Sequence, residues 1–171
     1  MKLISTIFLI LFAGAIIYSC EEIKSYPEEP EIEYKSYTIT ETTDILGNKI
    51  FLLTLAIGFV DGDGNIGLNQ PDSTNIPDSL KYNIFMTSHY KEDGRYIEIS
   101  DQAGSQNYRI PYIEREGQNK TLKGTISVEL EFKTIKYDTM MYSMYIRDRD
   151  LNRSNVDSTE DVIFTDFSFE D

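Results

Sequence analysis

The chain has 171 residues, 40% of them hydrophobic, with 29 acidic and 16 basic side chains, a formal net charge of −13 and a single cysteine. That balance excludes a nucleic-acid partner, because phosphate binding needs a basic footprint that is missing here. One cysteine forms no disulfide within the chain, so the fold rests on its core, with or without help from a metal.

The N-terminus reads as a targeting segment. Lys2 supplies a positive start, and Leu3 to Ile17 form an apolar run broken only by Ser5, Thr6 and Gly14, about the length of a signal-peptide core. A spanning helix would need roughly 20 apolar residues and a basic flank, whereas Glu21 and Glu22 follow here. The run ends in Ile17-Tyr18-Ser19-Cys20, which resembles the lipobox of bacterial lipoproteins, with Tyr18 departing from the usual small or aliphatic residue. The resemblance implies cleavage before Cys20, acylation of Cys20 and a lipid-membrane partner, since two or more acyl chains anchor stably. The alternative is cleavage elsewhere with Cys20 as an incidental thiol. Removal of residues 1–19 leaves 15 basic and 29 acidic side chains, too acidic for charge alone to hold the chain on anionic lipid.

Residues 20–31 are expected to be a tether. Glu21, Glu22, Glu28, Glu29 and Glu31 with Pro27 and Pro30 cannot pack a core, and the prolines favour an extended chain. Acidic residues just after a lipidated cysteine also resemble a surface-export signal of Bacteroidota-type lipoproteins, and a plain solvated linker explains the same residues.

From Ile32 to the C-terminus one β-rich domain is expected, because the apolar pattern has period 2 and is punctuated by turn residues. Strands are predicted near 32–41, 49–60, 81–90, 95–100, 107–113, 122–134, 140–148 and 160–168. The clearest alternation, Phe51, Leu53, Leu55, Ile57 and Phe59 with Leu52, Thr54, Ala56, Gly58 and Val60 between them, predicts a central strand. Lys91-Glu92-Asp93-Gly94 predicts a hairpin turn with Gly94 at positive φ. About seven or eight antiparallel strands in one domain predict an all-β immunoglobulin-like sandwich of the fibronectin type III kind.

One loop stands out: Asp61-Gly62-Asp63-Gly64-Asn65-Ile66-Gly67. Asp61, Asp63 and Asn65 at alternate positions, with Asp72 at the twelfth, place oxygen ligands where glycines let the chain curl, as calcium requires. An EF-hand would place glycine sixth and glutamate twelfth; here Ile66 and Asp72 stand there. Two readings stay open, a calcium site and a metal-free Asp/Gly/Asn turn. A second loop repeats the spacing with Asp148, Asp150 and Asn152, but Arg149 and Arg153 are expected to neutralise its carboxylates, with Asn152, Ser154 and Asn155 shaping a turn. In an immunoglobulin-like sandwich these two connections fall at one end.

As a set, the signal peptide, Pro30-Glu31-Ile32-Glu33, the loop from Phe59 to Leu68, Arg109-Ile110-Pro111 and the stretch from Asp148 to Asn155 resemble small Bacteroidota-type lipoproteins of uncharacterised function. The resemblance implies an envelope location, at the outer membrane, and a β-sandwich; it implies no activity. Catalysis finds little support in the residues. His89 is the lone histidine, which excludes multi-histidine metal centres and leaves any Ser-His-Asp relay to it. No nucleophile elbow or phosphate-cradling glycine loop occurs, and sequence cannot choose a glycosidase-type carboxylate pair among the acids. The expectation is an anchored, non-catalytic binding or scaffold module that binds a protein or glycan partner, or braces a larger assembly, through the polar loops at one end of the sandwich. The alternatives are a carbohydrate-contacting accessory lipoprotein whose tyrosines stack on sugars, and a hydrolase.

Overall fold

The structure, a computed structural model, describes residues 25–70, 78–100, 105–114 and 120–164. Its elements are β1 (Glu31–Thr43), β2 (Lys49–Asp61), a single helical turn α1 (Asp78–Lys81), β3 (Ile84–Glu92), β4 (Arg95–Glu98), β5 (Ser105–Tyr108), β6 (Leu122–Phe132), β7 (Thr139–Ile146), β8 (Asp157–Ser158) and β9 (Val162–Ile163). All named strand pairs are antiparallel.

One sheet has the order β1-β2-β6, and the other runs β4-β3-β7-β8, with β5 extending the β4 edge along β3 and β9 extending the β8 edge along β7. Two antiparallel sheets with this split of consecutive strands form the immunoglobulin-like sandwich expected from the strand pattern. The alternating run of β2 explains its central place. Leu53, Leu55 and Ile57 are completely buried, while Leu52, Thr54 and Ala56 on the other face are half-covered. The facing sheet contributes Ile84, Met86, Met140, Tyr142, Met144 and Ile146 to the same core. Ile66 and Ile110 plug one end, and Val162 and Phe164 close against the other side.

Strand β1 shows how one extra residue is absorbed. Its apolar residues fall at Ile32, Tyr34, Tyr37 and Ile39, and the pairing with β2 shifts between Tyr34 and Ser36. A bulge at Lys35 resets the parity, so both halves keep their apolar side on the core. The edge of β1 before the bulge is closed by side chains from the β7–β8 connection and from β8. Asn155 accepts the Ile32 N–H through Oδ1 (2.8 Å) and donates through Nδ2 to the Ile32 carbonyl (2.9 Å), and Asp157 Oδ2 accepts the Tyr34 N–H (2.6 Å). Asn155, expected to shape a turn, instead acts as a substitute strand. Because Ile32 is buried, Asn155→Ala strands a donor and an acceptor. We expect a loss of about 2 kcal/mol, read as a lower urea midpoint with an unchanged slope; a midpoint equal to the parent's would refute the bracket.

Two corrections to the strand boundaries have local causes. The region 81–90 begins with α1 and enters its strand only at Ile84. Of the strand expected at 160–168 the described part pairs only as β9, Val162–Ile163, and residues 165–168 lie outside the described residues; the short pairing β8 comes before it, on the other side of Thr159, whose Oγ1 accepts the Tyr142 N–H at 3.1 Å. The β3–β4 hairpin matches its turn chemistry: Asp93 (φ 49°) and Gly94 (φ 75°) are both left-handed, as a two-residue type I′ turn requires. Among the described residues, no helix is long and apolar enough to cross a membrane.

Candidate functional site

Three segments converge where β2 and β7 end. The register places Asp61, the last residue of β2, opposite Leu122 at the start of β6, and Ile146, the last residue of β7, opposite Ile84 at the start of β3. The loop after Asp61 and the loop after Ile146 therefore leave the sandwich side by side. They are stitched together: the Arg149 N–H donates to the Asn65 carbonyl (3.4 Å), and Asn65 Nδ2 donates to Asp150 Oδ2 (2.8 Å). The segment after β5 is the third, joined by Leu68 N–H to the Ile110 carbonyl at 3.0 Å.

The first loop curls tightly around its own acids. Asp61 is fully buried, and its Oδ2 accepts the Ile66 N–H at 2.7 Å. Asn65 Nδ2 also donates to Asp63 Oδ2 (2.8 Å), so one amide group stands between Asp63 and Asp150. Gly64 and Gly67 take positive φ, 66° and 93°, which L side chains rarely adopt. Gly62 answers a different need: a Cβ there would land on the Tyr26 and Pro27 backbone, and its N–H donates to the Pro27 carbonyl at 3.0 Å. The chain is thus fastened to this end of the domain from Tyr26 onward, with Lys123 lying 3.7 Å over the Tyr26 ring.

Within this cluster two buried oxygens, Asp61 Oδ1 and Asn65 Oδ1, have no hydrogen-bond partner. Burial, then the neighbouring carboxylates of Asp63 and Asp148, push the Asp61 carboxyl up to about 6 against the pull of its Ile66 hydrogen bond. In the second loop Asp148, also fully buried, turns both oxygens to Asn152, accepting from its N–H (2.7 Å) and its Nδ2 (2.8 Å). Leu151 takes φ 68° in that turn. The arginines have other places than the one expected for them. Arg149 donates to the carbonyls of Ile66 (3.4 Å) and Gly67 (3.1 Å) and lies over Tyr112, and Arg153 stacks 3.8 Å over Tyr145.

Of the candidate residues, then, Asp61, Asp63, Asn65, Asp148, Asp150 and Asn152 share one end of the sandwich, whereas Asp72 and Cys20 lie outside the described residues. Among the described residues, no three carboxylate, histidine or cysteine side chains are already gathered around one metal-sized point. His89 lies on β3 between Glu98 and Met141, away from this end.

Sequence reasoning missed that Asn65 and Asp150 meet, a contact across 85 residues with no local signal. It also passed over the β1–β2 hairpin tip, where the signal was local. Asp44 Oδ1 accepts the N–H groups of Leu46 and Asn48, both at 2.9 Å. This built turn presents Ile45 fully exposed and Leu46 79% exposed. Several aromatic rings of the β3–β7 sheet are engaged with one another: Phe85 and Tyr145 stack at 4.9 Å with Arg147 over both, and Tyr90 stacks on Tyr137 at 4.3 Å.

No family model matches the sequence, and neither a curated protein nor a solved structure is significantly similar to it. The reading of function accordingly rests on the residues themselves.

Proposed function

We propose that this chain is a lipid-anchored, non-catalytic module of the cell envelope, held to the outer membrane through acyl chains on Cys20. It contacts a protein partner, or braces an assembly, through the end of the sandwich remote from its anchor. The observation that carries the reading is the Asp44-built hairpin tip, with Ile45 and Leu46 exposed. Thr43 and Lys49 flank that tip, and they pair at the opposite end of β1 and β2 from Glu31 and Val60, where the chain enters.

Five residues, 21–25, separate Cys20 from Tyr26 and extend at most about 18 Å. Such a short leash keeps the acidic loop end towards the bilayer and turns the hairpin tip outward. An apolar pair on a fixed turn loses little conformational entropy on docking, which favours a contact role. Lys49 and Glu41, paired at 3.0 Å beside the tip, supply a polar rim.

A photo-crosslinking residue at position 46 in intact cells should yield an adduct with a second polypeptide, reduced severalfold by Ile45→Asp. Cys20→Ala should release the chain from the membrane fraction. Adducts formed from position 151 but never from 46 would overturn the placement of the contact surface.

A further inference from the structure

The geometry points to a single calcium site shared by the two stitched loops, with Asp61, Asp63 and Asn65 from one and Asp150 from the other as its side-chain ligands. The site stands whether or not the chain is anchored, and it differs from a one-loop motif in needing the β7–β8 connection.

Two features set this cluster apart from an ordinary acidic turn. The first is an unpartnered buried oxygen, Asp61 Oδ1, on a residue that is 0% exposed. Buried acceptors left without a donor are uncommon, and an ion satisfies them as a hydrogen bond would. The second is the place of the Asn65 amide. Its Nδ2 lies 2.8 Å from an oxygen of Asp63 and 2.8 Å from one of Asp150, so a weak, neutral donor holds two carboxylates of different loops together. Turning that amide over exchanges Nδ2 for Oδ1 and presents a third oxygen to the same gap, which a cation then fills.

The donor set selects the ion. Three carboxylates and an amide carbonyl are hard oxygen ligands, and calcium takes six to eight oxygens in flexible geometry, with water completing the shell. Magnesium demands a near-ideal octahedron and keeps its water, which a gap between two loops serves poorly. Thiolate or imidazole ligands, which zinc and copper favour, are missing from both loops. Asp148 adds charge from behind, with its own oxygens committed to Asn152. Arg149 is held on the carbonyls of Ile66 and Gly67 and over Tyr112, so it braces the outer side of the curl.

The full chain in detergent, stripped with a chelator, should bind one calcium per chain by titration calorimetry. Its Tm should rise by about 5 °C once calcium exceeds Kd about a hundredfold. Asp150→Ala, an exposed position in the second loop, gives up the bond from Asn65 Nδ2, so it should lower the chelated Tm by a few degrees at most while weakening calcium at least tenfold in calorimetry; Asp63→Ala should do the same from the first loop. Magnesium should give a much smaller rise. Absence of heat and of any Tm shift up to about 10 mM calcium, above the range of extracellular calcium modules, would overturn the site. So would an equal response to magnesium, or calcium binding left intact by Asp150→Ala.

Discussion

Replacing Gly67 by alanine should destabilise the domain by about 3–4 kcal/mol, lowering Tm by roughly 10 °C. Two penalties combine there. Gly67 sits at φ 93°, and a left-handed L residue costs about 1–2 kcal/mol. Its Cβ would also land on the Pro111 carbonyl oxygen, with Ile113 N 3.2 Å away, and backbone cannot swing aside as a side-chain tip can. Leu68, the next residue, is tied to Ile110 and bridged to Pro111, so relief of the clash breaks the link between two of the three segments at this end. Gly94 is the control, since it has φ 75° and nothing within 4 Å of its would-be Cβ. Gly94→Ala should cost only about 1 kcal/mol. Equal losses for the two variants would show that conformation alone matters and that the contact with Pro111 is unimportant.

Asp61→Asn should make the calcium-free protein more stable above pH 6. The Asp61 carboxyl is raised from 3.8 to about 6 by burial and by Asp63 and Asp148, and lowered in part by the Ile66 N–H. The folded chain therefore holds a proton that the unfolded chain has released. Stability from this group is fully present below about pH 4 and is lost as pH rises through about 6. At 1.36 kcal/mol per unit the loss reaches about 3 kcal/mol at neutral pH, an upper bound once relaxation is allowed. Asparagine stays neutral, and its Oδ1 can still accept the Ile66 N–H. The difference between variant and parent, measured by urea unfolding in chelator, should be small at pH 4 and favour the variant by about 2 kcal/mol at pH 7.5. Calcium should then stabilise the parent and leave the variant nearly unmoved. A variant less stable than the parent at pH 7.5 in chelator would show that the Asp61 charge is compensated in the folded state.

Much of this architecture was legible because it is local. The alternation of β2 names its buried face, Asp93-Gly94 names its turn, and the immunoglobulin-like order brings the loops after Asp61 and Ile146 to one end. The bulge in β1 is written as the three-residue step from Tyr34 to Tyr37, although a strand over 32–41 does not locate it. What sequence could not show are the contacts made between distant positions. Asn155 reaches Ile32 across 123 residues, and Asn65 reaches Asp150 across 85. Arg149 and Arg153 look like counter-ions beside Asp148 and Asp150, yet carbonyl oxygens and aromatic rings compete for them successfully. Ile45 and Leu46 fall between the strands predicted at 32–41 and 49–60, and their exposure follows only once the turn built by Asp44 is seen around them.

The bracket that Asn155 and Asp157 place on β1 also bears on how copies of the chain behave towards one another. An unpaired sheet edge is a template on which another chain can add a strand. In the half of β1 before Lys35, the N–H groups of Ile32 and Tyr34 and the carbonyl of Ile32 are already taken, so a neighbour finds no ladder to extend. Where copies of the chain are crowded together, that occupied edge is a guard against self-association. Loss of Asn155 would then show itself in oligomers that grow with protein concentration as well as in a lower unfolding midpoint.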